Sequence, residues 1–487
     1  MNKIYKVIWS KVRNCYVAVS EIAKRNGKSC TSVNCGAKAN RGHAGVALAI
    51  ALSLSMAGGG VAWAEDVTEQ SKTIYSTDTA AATTSYILNR TGSTVDSAAG
   101  TGVTFTVENG GKVYLVTSYK SGNIIKIKEG GEVTTALRGG INNNSITVEG
   151  TAKNVAGGYI RQDTTFSGLG IMGNDVTNNT VTVKGNAVIT GNELIGGNSY
   201  SGNVTKNTIV INGGTVNVTN VYGGYSSSGN AGGVDIVNGN TVTKQGNTVT
   251  ISGGTVSGNV YGGYVGYVGS GSSSAQNNKV SISGTSTIGS SDKSSTIYGG
   301  RAVLNATNNT VNINLTTNGK IRGNVYGGWV NNNSPVAKDN SVTVDAGEIS
   351  GDVYGGFALI GGSVEGNSVS MKGTVGGNIY GGIIRNANSD ASLNKNVENN
   401  HVTITNGTVT GAVYGGSNAG TGSTINNSVT INGGTVKLTV FGGFSSTGNV
   451  GGTNAGDRNT VTITDGTIGN NIYGGYVGSE SGYRSIR

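Results

Sequence analysis

The sequence predicts an all-β protein, a right-handed parallel β-helix (β-solenoid) of about twelve rungs preceded by a helical leader. Three observations support this fold class. Glycine supplies 85 of the 487 residues and proline only one. Valine and isoleucine recur at regular places among Asn, Ser and Thr, which favours strands over disorder. A Val/Ile-Tyr-Gly-Gly motif also repeats at a period of about thirty residues, which is typical of a solenoid.

The repeat motif places one aromatic residue before each Gly-Gly pair. The copies are Tyr222, Tyr261, Tyr298, Tyr326, Tyr354, Tyr380, Tyr414, Phe441 and Tyr473. Upstream of a typical motif, Val249 and Ile251 alternate with Thr248 and Thr250, which predicts a short strand with its aliphatic side chains inward. We expect the Gly pairs to form turns. One rung cannot bury its own apolar face, so stability should come from stacking aliphatic residues between rungs.

An asparagine opens most of these strands. The positions are Asn179, Asn207, Asn247, Asn309, Asn340, Asn367, Asn400, Asn427 and Asn459. Asparagine tolerates the left-handed backbone conformation and can hydrogen-bond to the asparagine of the next rung, so the sequence predicts a stacked amide ladder. Unit length varies mainly after Gly-Gly, which predicts surface loops along one edge.

The pattern divides the chain into three parts. Residues 1–64 are predicted to be an extended signal peptide. Residues 65–130 match the repeat poorly and are predicted to form an N-terminal cap or irregular β segment, because an exposed strand edge requires cover. Residues 131–487 are assigned to the β-helix repeats.

The leader contains the elements of a signal peptide. Val46–Met56 is an uncharged apolar run that is too short to cross a bilayer core of ~30 Å, and residues 46–56 are therefore interpreted as the h-region. Ala62 and Ala64 are small residues at the positions that signal peptidase tests, which predicts cleavage between Ala64 and Glu65.

The segment that precedes the h-region is unusually long, and residues 1–28 form its first part. They share a pattern at Asn2, Lys3, Ile4, Tyr5, Val7, Ile8, Trp9, Ala18, Val19, Ser20, Glu21, Ala23 and Lys24. This pattern resembles the extended signal peptide region (ESPR) of type V secretion proteins. The resemblance implies slowed export through the inner-membrane secretion machinery. Ile4, Val7 and Ile8 lie roughly on one helical face among lysines, so we expect an amphipathic helix that favours an anionic membrane surface.

Charge and residue usage exclude several functions. The leader to Ala64 holds nine basic residues and one acid, and the remainder holds 25 basic and 24 acidic residues, so we expect no nucleic-acid partner. His401 is the lone histidine after the leader, no Gly-x-Ser-x-Gly turn accompanies it, and no His/Cys cluster could bind zinc. The acids Asp345, Asp352, Asp390 and Asp465 fall at dissimilar places in their units. We therefore expect no catalytic residue, metal or cofactor.

Leader and rod together resemble a monomeric autotransporter passenger. The resemblance implies a rod for adhesion, aggregation or biofilm contact, with a host or bacterial surface glycan or protein as partner. The aromatic residues would form a surface ladder that binds glycan or, in the interpretation we favour, pack on one another and brace the rod. The alternatives are a two-partner-secreted exoprotein, a β-helix carbohydrate-active enzyme and a non-functional truncated product.

The chain ends at Arg487 without the pattern of a β-barrel translocator. We therefore expect a C-terminally truncated chain whose outer-membrane pore is absent from this sequence. If a translocator is supplied, the expected location is the cell surface, outer membrane or medium. Otherwise it is the periplasm.

Overall fold

The computed structural model describes residues 102–478 apart from 119, 161–173, 238–239, 245, 267–272, 333–334 and 389. N-terminal to these it describes the backbone of the segments 5–10, 15–20, 66–68, 73–74, 85–88 and 91–97. Nearly all regular structure in these residues is β. Within the described part of the chain, no helix is both long and apolar enough to cross a membrane.

The leader contains a β-hairpin where the sequence predicted a helix. Tyr5–Ser10 pairs antiparallel with Cys15–Ser20, and Tyr5 lies opposite Ser20. The helical prediction for this segment is therefore wrong. Both strands are rich in valine, isoleucine and aromatic residues, which favour the extended backbone, and this preference outweighs the match of a few apolar positions to one helical face.

Each rung of the solenoid contains up to four strands, which stack in parallel on the strands of the next rung. Face A carries the Thr-Val-Thr-Ile strand. Its members are Asp66–Thr68, Ser85–Leu88, Thr104–Val107, Ile124–Ile127, Ser145–Val148, the first part of Thr180–Ser199, Thr208–Asn217, Thr248–Val256, Lys279–Gly284, Thr310–Leu315, Ser341–Ala346, Ser368–Met371, His401–Ile404, Ser428–Val436 and Thr460–Ile468.

A short second strand follows face A after a corner. It is separate at Thr287–Ile288, Lys320–Ile321, Glu348–Ile349, Thr374–Val375 and Thr408–Val409. In several other rungs it is continuous with face A, as in Thr208–Asn217, where Gly213 (φ 122°) and Gly214 (φ 77°) turn the corner. This Gly pair confirms the turn role that the sequence predicted for it, because only glycine adopts such angles readily.

Face B carries the Tyr-Gly-Gly motif. Its strands are Asn220–Ser226, Asn259–Val265, Ile297–Ala302, Val325–Val330, Val353–Ile360, Ile379–Asn386, Val413–Asn418, Val440–Ser445 and Ile472–Val477. Face C is shorter and comprises Val176–Thr177, Val204–Thr205, Ser274–Gln276, Asn305–Thr307, Val336–Lys338, Gly362–Glu365, Asn394–Glu398 and Thr424–Ile425. The variable loops connect face B to face C in successive rungs, along one edge of the solenoid.

The core is a stack of like aliphatic side chains. Val249 pairs with Val280, and Ile251 pairs with Ile282. Val249 and Ile251 are fully buried, whereas Thr248 and Thr250 are partly exposed, which confirms the predicted facing of this strand. The same cluster continues from Val103 to Val440. Burial of a valine or isoleucine side chain contributes about 1.5–3 kcal/mol, so the repeat is stabilised mainly between rungs.

Parallel stacking begins before residue 131. Thr104–Val107 pairs with Ile124–Ile127, which pairs with Ser145–Val148. In the same region Thr73–Ile74, Thr91–Ser97, Lys112–Ser118, Glu132–Arg138 and Thr151–Tyr159 continue the other strands of the rung. The sequence assigned residues 65–130 to an irregular cap because they lack Tyr-Gly-Gly. Their pattern of alternating burial, as in Ile124–Ile127, was the available signal that they form rungs.

Three elements depart from the stack. Val234–Val237 and Asn240–Lys244 form an antiparallel hairpin inserted between two rungs. Ala391–Leu393 is a single turn of 3-10 helix within an edge loop, and Ala455–Asp457 is another between Val450, which pairs with face C, and the next strand of face A. None of these elements interrupts the pairing of face A, because Thr208 still pairs with Thr248, Ser368 with His401, and Ser428 with Thr460.

Candidate functional site

A ladder of buried asparagines lies at the corner before face A. The Oδ1 atom of Asn340 accepts hydrogen bonds from the backbone N (3.0 Å) and Nδ2 (2.9 Å) of Asn309. Its Nδ2 atom donates to Asn367 Oδ1 (2.9 Å) and to the carbonyl of Ala306 (2.8 Å). Each amide thus bonds to three neighbours inside the protein. The predicted asparagine ladder is confirmed.

The ladder is longer than the sequence indicated. It also includes Asn123, Asn144 and Asn278. The left-handed conformation, however, falls on the residue before most of the ladder asparagines, as at Asn308 (φ 55°) before Asn309. The ladder asparagine itself has to stay extended, because its backbone N donates to the amide of the next rung while its carbonyl accepts from that rung, as in Ser341 N to Asn309 O (2.8 Å).

The Gly-Gly pairs of face B are not turns, contrary to the prediction. They lie inside strands, and a Cβ atom added to Gly327 would be 2.5 Å from the carbonyl oxygen of Gly355 in the next rung. A Cβ atom added to Gly328 would be 2.3 Å from Nδ2 of Asn340. Real Cβ contacts are not that short, so glycine is required here by close approach of backbone and ladder.

The aromatic residues of the repeat form one continuous stack, here called the first column. Neighbouring rings are nearly parallel, with centroids 4.5 Å apart at Tyr326–Tyr354 and 5.3 Å apart at Phe441–Tyr473. The column lies outside the aliphatic core in clusters of its own. Stacked aromatic pairs contribute about 0.5–1.5 kcal/mol beyond their area burial, so the column stabilises the contact between rungs.

The first column is not a surface ladder. Tyr354 is 2% exposed and Phe441 is 1% exposed, and only Tyr298 and Tyr473 of the column are partly exposed. The prediction of an exposed aromatic ladder is therefore corrected. Of the two interpretations drawn from the sequence, the geometry favours the brace, because each ring face is covered by the ring of the next rung.

A second row of side chains covers the first column, three residues further along each strand. Its members are Tyr159, Asn198, Tyr225, Tyr264, Arg301, Trp329, Phe357, Ile383, Ser417, Phe444 and Tyr476. Residues three apart on a straight strand point to opposite faces, yet the rings of Tyr222 and Tyr225 are 5.3 Å apart. The strand therefore bends at Gly-Gly, and the two rows meet in a groove.

The second row differs in exposure along its length. Phe357 and Phe444 are buried, whereas Tyr225, Tyr264, Arg301 and Trp329 are partly exposed. The guanidinium carbon of Arg301 lies 4.3 Å from the ring centroid of Trp329. Sequence reasoning missed this row because it searched for the residue before Gly-Gly. The aromatic residue that follows the pair, as in Tyr222 to Tyr225, was the available signal.

Polar side chains flank the other side of the first column. The hydroxyl of Tyr354 donates to Asp352 Oδ2 (2.9 Å), and Asp352 Oδ1 accepts from the backbone N of Asn378 (2.6 Å). Burial raises the pKa values of Tyr222, Tyr261, Tyr298, Tyr326 and Tyr354 above that of an exposed tyrosine. The column therefore holds neutral phenols.

This burial predicts a loss of stability in alkali. The folded chain keeps phenol protons that the unfolded chain releases, so the contribution of the column is complete below pH about 10, the ordinary value for tyrosine, and is lost as the pH rises above it. We expect the urea midpoint to be lower at pH about 11.5 than at pH about 8.5, with tyrosinate absorbance appearing as the chain unfolds. The Tyr354→Phe variant should show a smaller fall. An unchanged midpoint would contradict the buried column.

The acids and the histidine that were weighed as candidate catalytic residues do not lie close together. Asp345 pairs with Lys372 (3.0 Å), Asp352 bonds to Tyr354, and Asp390 accepts from Ser392. His401 is exposed, and its Nδ1 atom lies 2.7 Å from Ser428 Oγ. In the described residues, no group of three or more His, Cys, Asp or Glu side chains could hold a metal.

The predicted leader residues fall into two groups. Tyr5, Val7, Ile8, Trp9, Ala18, Val19 and Ser20 belong to the hairpin strands, whose backbone alone is described. Asn2, Lys3, Ile4, Glu21, Ala23 and Lys24, the h-region 46–56 and the cleavage residues Ala62, Ala64 and Glu65 lie outside the described residues.

Fold and leader together define an exported β-solenoid. Residues 1–62 match the family model described as the extended signal peptide of the type V secretion system. The chain thus carries an extended signal peptide of that system, as the leader pattern predicted, and is directed across the inner membrane by the export machinery. No match was found among curated proteins or among solved structures.

Proposed function

We propose that the exported solenoid is a non-catalytic rod, displayed at the cell surface, that makes adhesive contacts in attachment, aggregation or biofilm. The observation that supports this best is the continuous parallel pairing of face A from Thr104 to Ile468 behind a type V leader. Such a stack holds its lateral surface rigid over many rungs, and it presents that surface rather than an interior cavity to a partner.

The distribution of side chains supports a binding role over catalysis. The interior is filled by aliphatic residues and the asparagine ladder. Asp345, Asp352 and Asp390 each have their own partner and do not converge in one groove. The edge loops between faces B and C vary in length from rung to rung, and variable loops on a rigid scaffold are where binding differences usually lie.

Surface display is tested in a Gram-negative host that produces the full chain together with a type V outer-membrane translocator. We expect added protease to digest the chain on intact cells. We also expect untreated cells that produce the chain to sediment faster than cells that do not produce it. The control replaces Leu52 and Leu54 of the h-region by arginine, which should block export because charges in this segment prevent its insertion. A wild-type chain that becomes protease-sensitive only after the outer membrane is opened would contradict surface display.

A further inference from the structure

We propose that the partly exposed stretch of the second row, formed by Tyr225, Tyr264, Arg301 and Trp329, binds a carboxylated polysaccharide, with the guanidinium of Arg301 taking a carboxylate. This site names the substrate class for the adhesive rod and so rests on the proposed function. The four residues occupy successive rungs in direct register, so they form a line along the solenoid.

Arg301 is held between aromatic rings, with no counter-ion in the part of the chain that the structure describes. Its guanidinium carbon lies 4.3 Å from the Trp329 centroid and 5.2 Å from the Tyr264 centroid. Over the described ranges no carboxylate forms an ion pair with it. Cation–π contacts fix the side chain, and the planar fork of an arginine pairs with a carboxylate through two hydrogen bonds. Arg301 is therefore pre-organised for a carboxylate.

The site has clear limits along the row. Towards the C-terminus, Phe357, Ile383 and Ser417 are buried at 3%, 7% and 3% exposure. Towards the N-terminus, Asn198 replaces an aromatic residue. A ligand that follows the row therefore meets two phenols, one guanidinium and one indole, and its carboxylate has a single place to bind.

The chemistry of the row favours a saccharide over an acidic peptide. The rings of Tyr225 and Tyr264 are stacked at 5.4 Å and 15°, so their faces are turned towards each other and the row presents ring edges and hydroxyls. The strands of face B pair on both sides in this stretch, so a peptide cannot add as a further strand. A sugar-acid chain offers hydroxyl groups and a carboxylate on each sugar, one of which can pair with Arg301.

The mature chain contains its own reporter for this site. Tryptophan occurs only at positions 9, 63 and 329, so cleavage after Ala64 leaves Trp329 as the one indole. We expect a galacturonic acid oligomer to change Trp329 fluorescence saturably in the purified exported chain. The methyl-esterified oligomer should bind at least about tenfold more weakly, because it cannot pair with the guanidinium.

Two variants and a matched control separate recognition from folding. Arg301→Met and Arg301→Lys should each lose about tenfold or more in affinity, the latter because lysine lacks the planar fork. Arg138→Met is the control, since Arg138 also lies over a tyrosine ring (4.2 Å from the Tyr159 centroid) but outside this stretch. It should bind as the wild type does, and circular dichroism should match for all chains.

Several outcomes would overturn the site. They are absence of binding by fluorescence and calorimetry, equal affinity for the ester or for poly-glutamate, and an equal loss in Arg138→Met. Each of these leaves the proposed rod untouched if cells still expose the chain and sediment. A chain that is never exposed on cells would instead refute the proposed function, whatever the oligomer does in solution.

Discussion

Replacement of Asn340 by alanine is expected to lower the free energy of unfolding of the exported chain by about 3–6 kcal/mol. The substitution removes the Oδ1 acceptor of the backbone N and Nδ2 of Asn309, and the Nδ2 donor of the Ala306 carbonyl. Asn340 and Asn309 are fully buried, so water cannot replace these bonds. Each stranded polar group costs about 1–3 kcal/mol.

The control for this prediction is Asn314→Ala in a neighbouring rung. Asn314 is exposed on its strand, and surface substitutions usually change stability by less than about 0.5 kcal/mol. Urea denaturation followed by circular dichroism measures both variants. Equal, small effects of Asn340→Ala and Asn314→Ala would show that the ladder contributes little to stability.

Replacement of Gly328 by alanine is expected to destabilise the chain by about 3 kcal/mol or more. The new methyl group would lie 2.3 Å from Nδ2 and 2.4 Å from Cγ of Asn340, and that amide is fixed by bonds to three neighbours. Neither backbone nor ladder can move without breaking the register of two rungs. Gly456→Ala is the control, because nothing lies within 4 Å of a Cβ atom added there.

A double variant tests the cause directly. In Gly328→Ala/Asn340→Ala the amide that clashes with the new methyl group is gone, so the loss should be smaller than the sum of the single losses by about 1 kcal/mol or more. Unfolding curves of the two single variants and the double variant supply this comparison. If the losses in unfolding free energy are strictly additive, the Asn340 amide is not the group with which the new methyl group clashes.

The sequence predicted correctly those features of the fold that the repeat pattern itself determines. Alternation at Val249 and Ile251 indicated which side chains stack inside, and the recurring asparagine before each strand indicated the ladder. Both patterns are local, so they can be interpreted without knowing how the chain runs between the strands. The type V leader was likewise readable from residues at fixed spacing.

The bend of face B could not be read from spacing. Tyr222 and Tyr225 are three apart, which on a straight strand means opposite faces, and only the bend at Gly-Gly brings their rings together. The same bend places the second row over the first column, so the partly exposed side chains of this face belong mainly to the second row. In the leader, the apolar spacing predicted a helix at Tyr5–Ser10. The segment is a strand, in line with its content of β-branched and aromatic residues.

Hydrogen exchange of the purified exported chain tests most directly whether rung-on-rung stacking creates this fold. We expect slow exchange throughout the strands of faces A and B from Thr104 to Val477, with the strongest protection at the centre of the stack around Asn340 and fast exchange in the edge loops. Uniformly fast exchange across these strands would contradict the account.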